Sequence, residues 1–271
     1  MKYVALITGT SSGFGKAIAN YLHKQGIRVY GTSRRPETAD PVPYETLALD
    51  IRNSGQIKSA VAHIIEKESS IDLLVNNAGM GYAGAAEMMS VEEMRKQFDV
   101  NFFGTVEITK AVVEVMRSQR KGKIININSL AGLMAIPWQS AYCASKFALK
   151  GYMESLRMEI MRWDIKISDI HPGDFKTGFT AARKLTEQSL KEESHYHEIF
   201  ARALKTIETD ERNGADPEKM AKLVWRIVKS NRPKQQYTAG SFEQKAVAAI
   251  KPFIPGSLFC KIINGHYNGQ V

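Results

Sequence analysis

Cysteine is scarce in this chain. Cys143 and Cys260 are the only two among 271 residues, too few for a disulfide framework and without the paired spacing of a metal site. That scarcity fits a reducing compartment. No apolar stretch reaches the roughly 18 residues that a spanning helix needs. Residues 1–8 run straight into an apolar segment and a glycine loop, without the zones of a signal peptide, so a cytoplasmic location is expected. Lys and Arg outnumber Asp and Glu by 37 to 28, yet they are scattered, with no basic run interleaved with aromatics. The resulting charge of +9 favours solubility and phosphate-bearing ligands, and no nucleic-acid partner is expected. Repeats and linker-like shifts in composition are missing as well. A hydrophobic content of 44% is enough for one full core.

What the chain does have is an alternation of short apolar runs with amphipathic stretches. Residues 3–8, 27–33, 44–50, 71–79, 122–129 and 165–173 read as buried strands. Residues 16–26, 54–68, 91–118, 140–163 and 217–230 read as helices. The order β-α-β-β-α-β-α-β-α-β predicts an α/β fold: a doubly wound parallel sheet of the Rossmann type, with helices on both faces. One domain over 1–241 is expected, closed by an edge strand at 234–240. Residues 174–211 are polar with spaced apolar positions and are expected to form a helical lid, with Phe175, Phe179, Leu185 and Phe200 turned toward an apolar substrate. Residues 242–271 form an apolar, proline-interrupted tail. A weak membrane-surface contact, a cover over the pocket and an oligomer contact are all open for it.

Two segments carry chemistry. The first is Gly9-Thr10-Ser11-Ser12-Gly13-Phe14-Gly15, set between a buried strand and an amphipathic helix. Glycines there let backbone N–H groups approach a pyrophosphate, and the helix N-terminus adds positive potential. The strand at 27–33 ends in Ser33-Arg34-Arg35, where a carboxylate would be needed to bind the ribose hydroxyls of NAD. Paired guanidiniums suit a 2′-phosphate instead, so NADP(H) is the expected cofactor. The second segment runs from Ser129 to Lys146. Tyr142 and Lys146 stand one helical turn apart, and Ser129 precedes them by a loop. An ammonium beside a phenol favours proton exchange, which suits a group that protonates or deprotonates the oxygen of a C=O/CH–OH pair. His195 and His197 point apart on a helix and have no third ligand nearby, so no metal site is expected.

Together these residues resemble the short-chain dehydrogenase/reductase family. The shared pattern comprises Thr8-Gly9-x-x-x-Gly13-x-Gly15, Asp50, Asn76-Asn77-Ala78-Gly79, Asn101, Ser129, Tyr142-x-x-x-Lys146, and Pro172-Gly173 with Thr177. The resemblance implies an NADP(H)-dependent oxidoreductase that interconverts a carbonyl and a secondary alcohol, with Tyr142 as acid and base. Lys146 tunes Tyr142 and holds the nicotinamide ribose, Ser129 binds the substrate oxygen, and Asn101 positions a water on the proton path. Ser11, Ser12 and Phe14 complete the phosphate loop. Asp50, with Ile51 beside it, takes the adenine; Asn77, Ala78 and Gly79 lie by its ribose; Pro172, Gly173 and Thr177 border the nicotinamide. A homo-oligomer built on helices 91–118 and 140–163 is also implied. The overall look is similar to the hydroxysteroid/retinol dehydrogenase branch, and 3-ketosphinganine reduction is a further reading. Leu133, Met134, Ile136 and Trp138 are expected to line a pocket without charge. The rival reading is a non-catalytic NADP-binding sensor or scaffold, but such a protein is expected to lose the tyrosine or the lysine, and both are kept here.

Overall fold

The computed structural model describes residues 3–36 and 41–268. Seven strands form one sheet in the order β3-β2-β1-β4-β6-β7-β9, and every neighbouring pair is parallel. They are β1 (Val4–Ile7), β2 (Arg28–Ser33), β3 (Glu45–Ala48), β4 (Leu73–Asn76), β6 (Gly122–Ile127), β7 (Ile165–Pro172) and β9 (Gln236–Ala239). The strand order reverses between β1 and β4, which opens a crevice at their C-terminal ends. β1 and β4 are buried at every position, which explains why they read as unbroken apolar runs rather than alternating ones.

Helices cover both faces. Ile18 and Leu22 of α1 (Gly13–Lys24) pack with Met220, Val224 and Ile227 of α8 (Pro217–Lys229) on one side. On the other side lie Ile57 and Ile64 of α2 (Ser54–Glu68), Ile108 and Val112 of α4 (Thr105–Gln119), and Leu149 and Met153 of α5 (Ser140–Ile160). Local chemistry sets the helix ends. Asn53 accepts from the Gln56 N–H to cap α2. Asp216 caps α8, whose first position is Pro217.

One expectation needs correction, and two features go beyond the sequence reading. The helix expected over 91–118 is broken. α3 (Val91–Phe98) opens on a Ser90/Glu93 capping box, and a π-helical turn over Asp99–Gly104 separates it from α4. Gly104 lies against the Ile51 carbonyl, where a Cβ would stand 2.6 Å from that oxygen. A small second sheet, β5 (Tyr82–Ala83) with β8 (Lys184–Leu185), was not foreseen. Neither element exceeds two residues, too short to leave a periodic signal. The tail is helical, forming α9 (Phe242–Ile250), a 3₁₀ turn over Lys251–Phe253 and α10 (Gly256–Asn268). Phe259 buries against Leu130 and Met134, so the tail covers the pocket. In the region expected as a lid, α6 (Phe179–Ala182) and α7 (His197–Arg212) flank β8.

Candidate active site

The crevice holds one cavity of about 1740 Å³, larger than a site for one small ligand and roomy enough for a dinucleotide and a substrate together. Its floor is the turn from β1 into α1. Gly9 (φ +71°) and Gly13 (φ +55°) take left-handed conformations that side chains disfavour. A Cβ on Gly15 would stand 2.1 Å from the Gly9 carbonyl oxygen, so only glycine fits there. Asn77 locks this turn by donating from Nδ2 to the carbonyls of Thr8 and Gly9, at 2.9 Å each. Thr8 Oγ1 in turn accepts from the N–H groups of Asn77 and Ala78. The Ser12 side chain does not cap α1. The cradle therefore fits the pyrophosphate of a nicotinamide dinucleotide.

Ser11, Ser12, Gly13, Phe14, Arg34, Arg35, Asp50, Ile51, Asn77, Ala78, Gly79, Pro172, Gly173 and Thr177 all line the cavity. Asp50 is already engaged. Arg52 donates to both of its oxygens and holds the carboxyl below its ordinary range, offset in part by burial. Both Arg34 and Arg35 are exposed at the cavity edge.

At the other end stand Ser129, Tyr142 and Lys146, all lining the cavity. Tyr142 and Lys146 lie in the first two turns of α5, and Ser129 follows β6. The Lys146 ammonium is 5.7 Å from the Tyr142 ring centre and donates to the Ile127 carbonyl at 3.1 Å. Burial pushes Lys146 down to about 8. The phenol behaves differently from the expectation. Burial pushes Tyr142 up to about 12, and the Ser129 hydroxyl pulls it only part of the way back. Desolvation is the largest influence on the phenol.

Asn101 is buried in the π-helical turn, not on a continuous helix. Its Oδ1 accepts from Met80 N–H at 2.9 Å and its Nδ2 donates to Met80 O at 3.0 Å and Ser145 Oγ at 3.2 Å. It thus clamps the loop after Gly79 onto the start of α5. His171 was missed by the sequence reading. It is fully buried, and its Nδ1 pairs with the Ser129 carbonyl at 3.0 Å. Since a carbonyl only accepts, Nδ1 carries the proton. Burial lowers this histidine to about 4.

The cavity wall expected to face the substrate departs from expectation. Phe175, Phe179, Met134 and Ile136 line the cavity, whereas Leu133, Trp138, Leu185 and Phe200 do not. Phe200 is fully buried and packs on Trp138. The Phe179 ring lies 5.7 Å from that of Tyr142. Nor is the wall uncharged. Asp174, Asp210 and Glu211 line it. Burial first, then Glu211 and Asp210, push the Asp174 carboxyl up to about 6. Glu211 pairs with Arg183 and accepts from Thr180 Oγ1, while Asp210 meets His266 of the tail at 2.8 Å. These residues are far apart in sequence, so no local pattern announced them. Among the described residues, no cluster of His, Cys, Asp and Glu is arranged to hold a metal ion, and no helix is long and apolar enough to cross a membrane.

Comparison with known proteins agrees with this geometry. A family model for short chain dehydrogenase matches residues 3–188. A 3-ketodihydrosphingosine reductase from Bacteroides thetaiotaomicron is 44% identical over 94% of both chains. An NADPH-dependent 3-dehydrocapnine reductase from Ornithobacterium rhinotracheale is 31% identical over 97% of this chain and 96% of its own. The crystal structure of a short-chain dehydrogenase from Streptomyces avermitilis superposes with a TM-score of 0.83 at 28% identity, covering 97% of each chain. The glycine cradle, the parallel sheet and these matches have one meaning: the chain belongs to the short chain dehydrogenase family and is an oxidoreductase.

Proposed function

We propose that this protein is an NADPH-dependent reductase of a long-chain 2-amino ketone, turning the carbonyl into a secondary alcohol. The observation that carries the reading is the cavity itself. Ser129, Tyr142 and Lys146 open onto an apolar wall that also bears Asp174, with Asp210 and Glu211 close by. An ammonium beside the carbonyl would offset the repulsion that Glu211 and Asp210 exert on Asp174. The reductases similar to this chain act, by name, on 3-ketodihydrosphingosine and 3-dehydrocapnine. A steroid ketone has no counterpart for the acidic wall.

Gly9, Gly13 and Gly15 would hold the pyrophosphate, Arg34 and Arg35 the 2′-phosphate, Asp50 and Ile51 the adenine, Asn77, Ala78 and Gly79 its ribose, and Pro172, Gly173 and Thr177 the nicotinamide. When bound, that cofactor supplies the hydride. Tyr142, held at about 12, is protonated at neutral pH and so starts as the acid that reduction requires. Its Oη gives a proton to the substrate oxygen, and the Ser129 hydroxyl orients that oxygen. Lys146, at about 8, lies in the range that can return the proton. Asn101, by clamping Met80 to α5, keeps the proton path in register. Exposed Phe103, Phe147, Met158 and Met161 on and beside α4 and α5 fit a homo-oligomer face, which sedimentation velocity can read.

The test follows NADPH consumption with 3-ketodihydrosphingosine, its N-acyl form and a steroid ketone. The free amine is expected to be the best substrate, and Tyr142→Phe to lose about 10²–10⁴ in kcat. Equal rates on the N-acyl ketone would remove the amine from the proposal. Full activity in Tyr142→Phe would remove the mechanism.

A further inference from the structure

The tail helices carry apolar surface on two sides. Gln244, Val247 and Ala248 of α9 face inward: Gln244 bonds Asp174, and the other two join the cluster of Leu130, Met134 and Phe259. On the opposite side Phe242, Ala249 and Ile250 fall within an arc of about 100°, and Phe253 follows in the 3₁₀ turn. Phe242 is 78% exposed and Phe253 is 86% exposed. On α10, Phe259 and Ile263 turn inward, and Leu258 and Ile262, next to them around the helix, are about half exposed. A soluble surface rarely presents aromatic side chains so fully without a partner.

Charge and position indicate the partner. Lys245 follows Phe242 by three residues and Lys261 follows Leu258 by three, so each apolar ridge is flanked by a cation. Glu243 is the only acidic residue over 242–268; it is exposed, borders the cavity and lies beside Ile250 on the helix, against Lys245, Lys251 and Lys261 on the same two helices and the turn between them. Val247, Ile262 and Ile263 of the same two helices line the cavity, so the ridges stand at its mouth. The oligomer face proposed above lies on other elements and adjoins this one only at Phe147, whose ring is 5.5 Å from the Lys251 ammonium.

We infer that α9 and α10 dock the protein on an anionic phospholipid bilayer, with Phe242 and Phe253 buried among the acyl chains and Lys245 and Lys261 on the headgroups. The cavity mouth then meets the membrane, and a long-chain ketone passes from bilayer to Tyr142 without crossing water. This inference rests on the lipid-like substrate proposed above.

The experiment is co-sedimentation of the full chain, loaded with NADPH, with vesicles of phosphatidylglycerol and phosphatidylcholine or of phosphatidylcholine alone. Binding is expected to the anionic vesicles and to fall roughly tenfold or more in the double variant Phe242→Ser/Phe253→Ser. Lys245→Glu/Lys261→Glu should abolish the preference for phosphatidylglycerol. Both variants should keep wild-type turnover of a ketone dispersed in detergent, which shows that they fold. Absence of vesicle binding by an active wild type overturns the docking and leaves the reductase reading intact. Binding without reduction of any amino ketone does the reverse. A double variant that sediments as a smaller species in lipid-free buffer assigns the ridges to a second copy and overturns the inference.

Discussion

His171 and Asp174 sit three residues apart at the end of β7, and their titrations should oppose one another. His171 is held neutral, with its value lowered from 6.5 to about 4, chiefly by burial. Between those values the unfolded chain binds the proton that the fold refuses, so His171 makes stability fall as pH drops. Its full contribution is present above the unfolded value and is lost toward pH 4, an effect of about 3 kcal/mol. Asp174 runs the other way. Its carboxyl is raised from 3.8 to about 6 by burial and by Glu211 and Asp210. The fold holds a proton that the unfolded chain releases, so acidification from pH 7 to pH 4 restores stability. Allowing for its partial exposure, this amounts to about 2 kcal/mol. In the wild type the two nearly cancel. Urea denaturation of the unliganded protein at pH 7 and at about pH 4.5, in Asp174→Asn and in His171→Asn, separates them. Asp174→Asn should lose stability on acidification more steeply than the wild type. His171→Asn, which keeps an N–H donor for the Ser129 carbonyl, should lose less or gain. Other titrating groups are common to all three proteins and drop out of the comparison. Parallel pH curves for the two variants would refute the reasoning.

Three further outcomes follow from the site. Arg34→Asp should shift the ratio of NADPH to NADH turnover by about one to two orders of magnitude, since a charge-assisted bond to phosphate contributes about 1.5–3 kcal/mol; an unchanged ratio, read from kcat/KM with each cofactor, would remove Arg34 from that role. Asn101→Ala gives up three hydrogen bonds and leaves the Met80 amide without its partner; a loss of about 1–3 kcal/mol in chemical denaturation should accompany a lower kcat. Gly15→Ala places a methyl against the Gly9 carbonyl. Cofactor affinity, measured by protein fluorescence quenching, should collapse even where the circular dichroism spectrum persists.

Much of the fold was legible because burial on both faces leaves a plain trace: β1 and β4 are continuous apolar runs, and α1 and α8 carry one apolar stripe each. Gly13 and Gly15 were legible because a tight backbone approach admits no other residue. The π-helical turn was not legible, since one extra residue per turn changes the apolar spacing too little to register. Its Asn101 could be found only through the family pattern. Nor was the network legible in which Asn76 donates to Asn126, Asn126 to Asp169, and Arg157 closes on Asp169. Each member sits on a different element, and nothing local links them.

Spacing along the chain, then, was enough to place a glycine turn after the first strand and a tyrosine one turn from a lysine, because both depend on neighbours in sequence. The acidity of those groups was settled only by folding. Packing Tyr142 beside Phe179 of α6 and Lys146 against the Ile127 carbonyl removes water from both, moving the phenol up and the ammonium down. Whether the cavity wall carries charge was likewise decided by tertiary structure. Asp174, Asp210 and His266 meet because β7, α7 and α10 converge on one cavity, and desolvation there, a property of the assembled volume, is what no stretch of sequence can display.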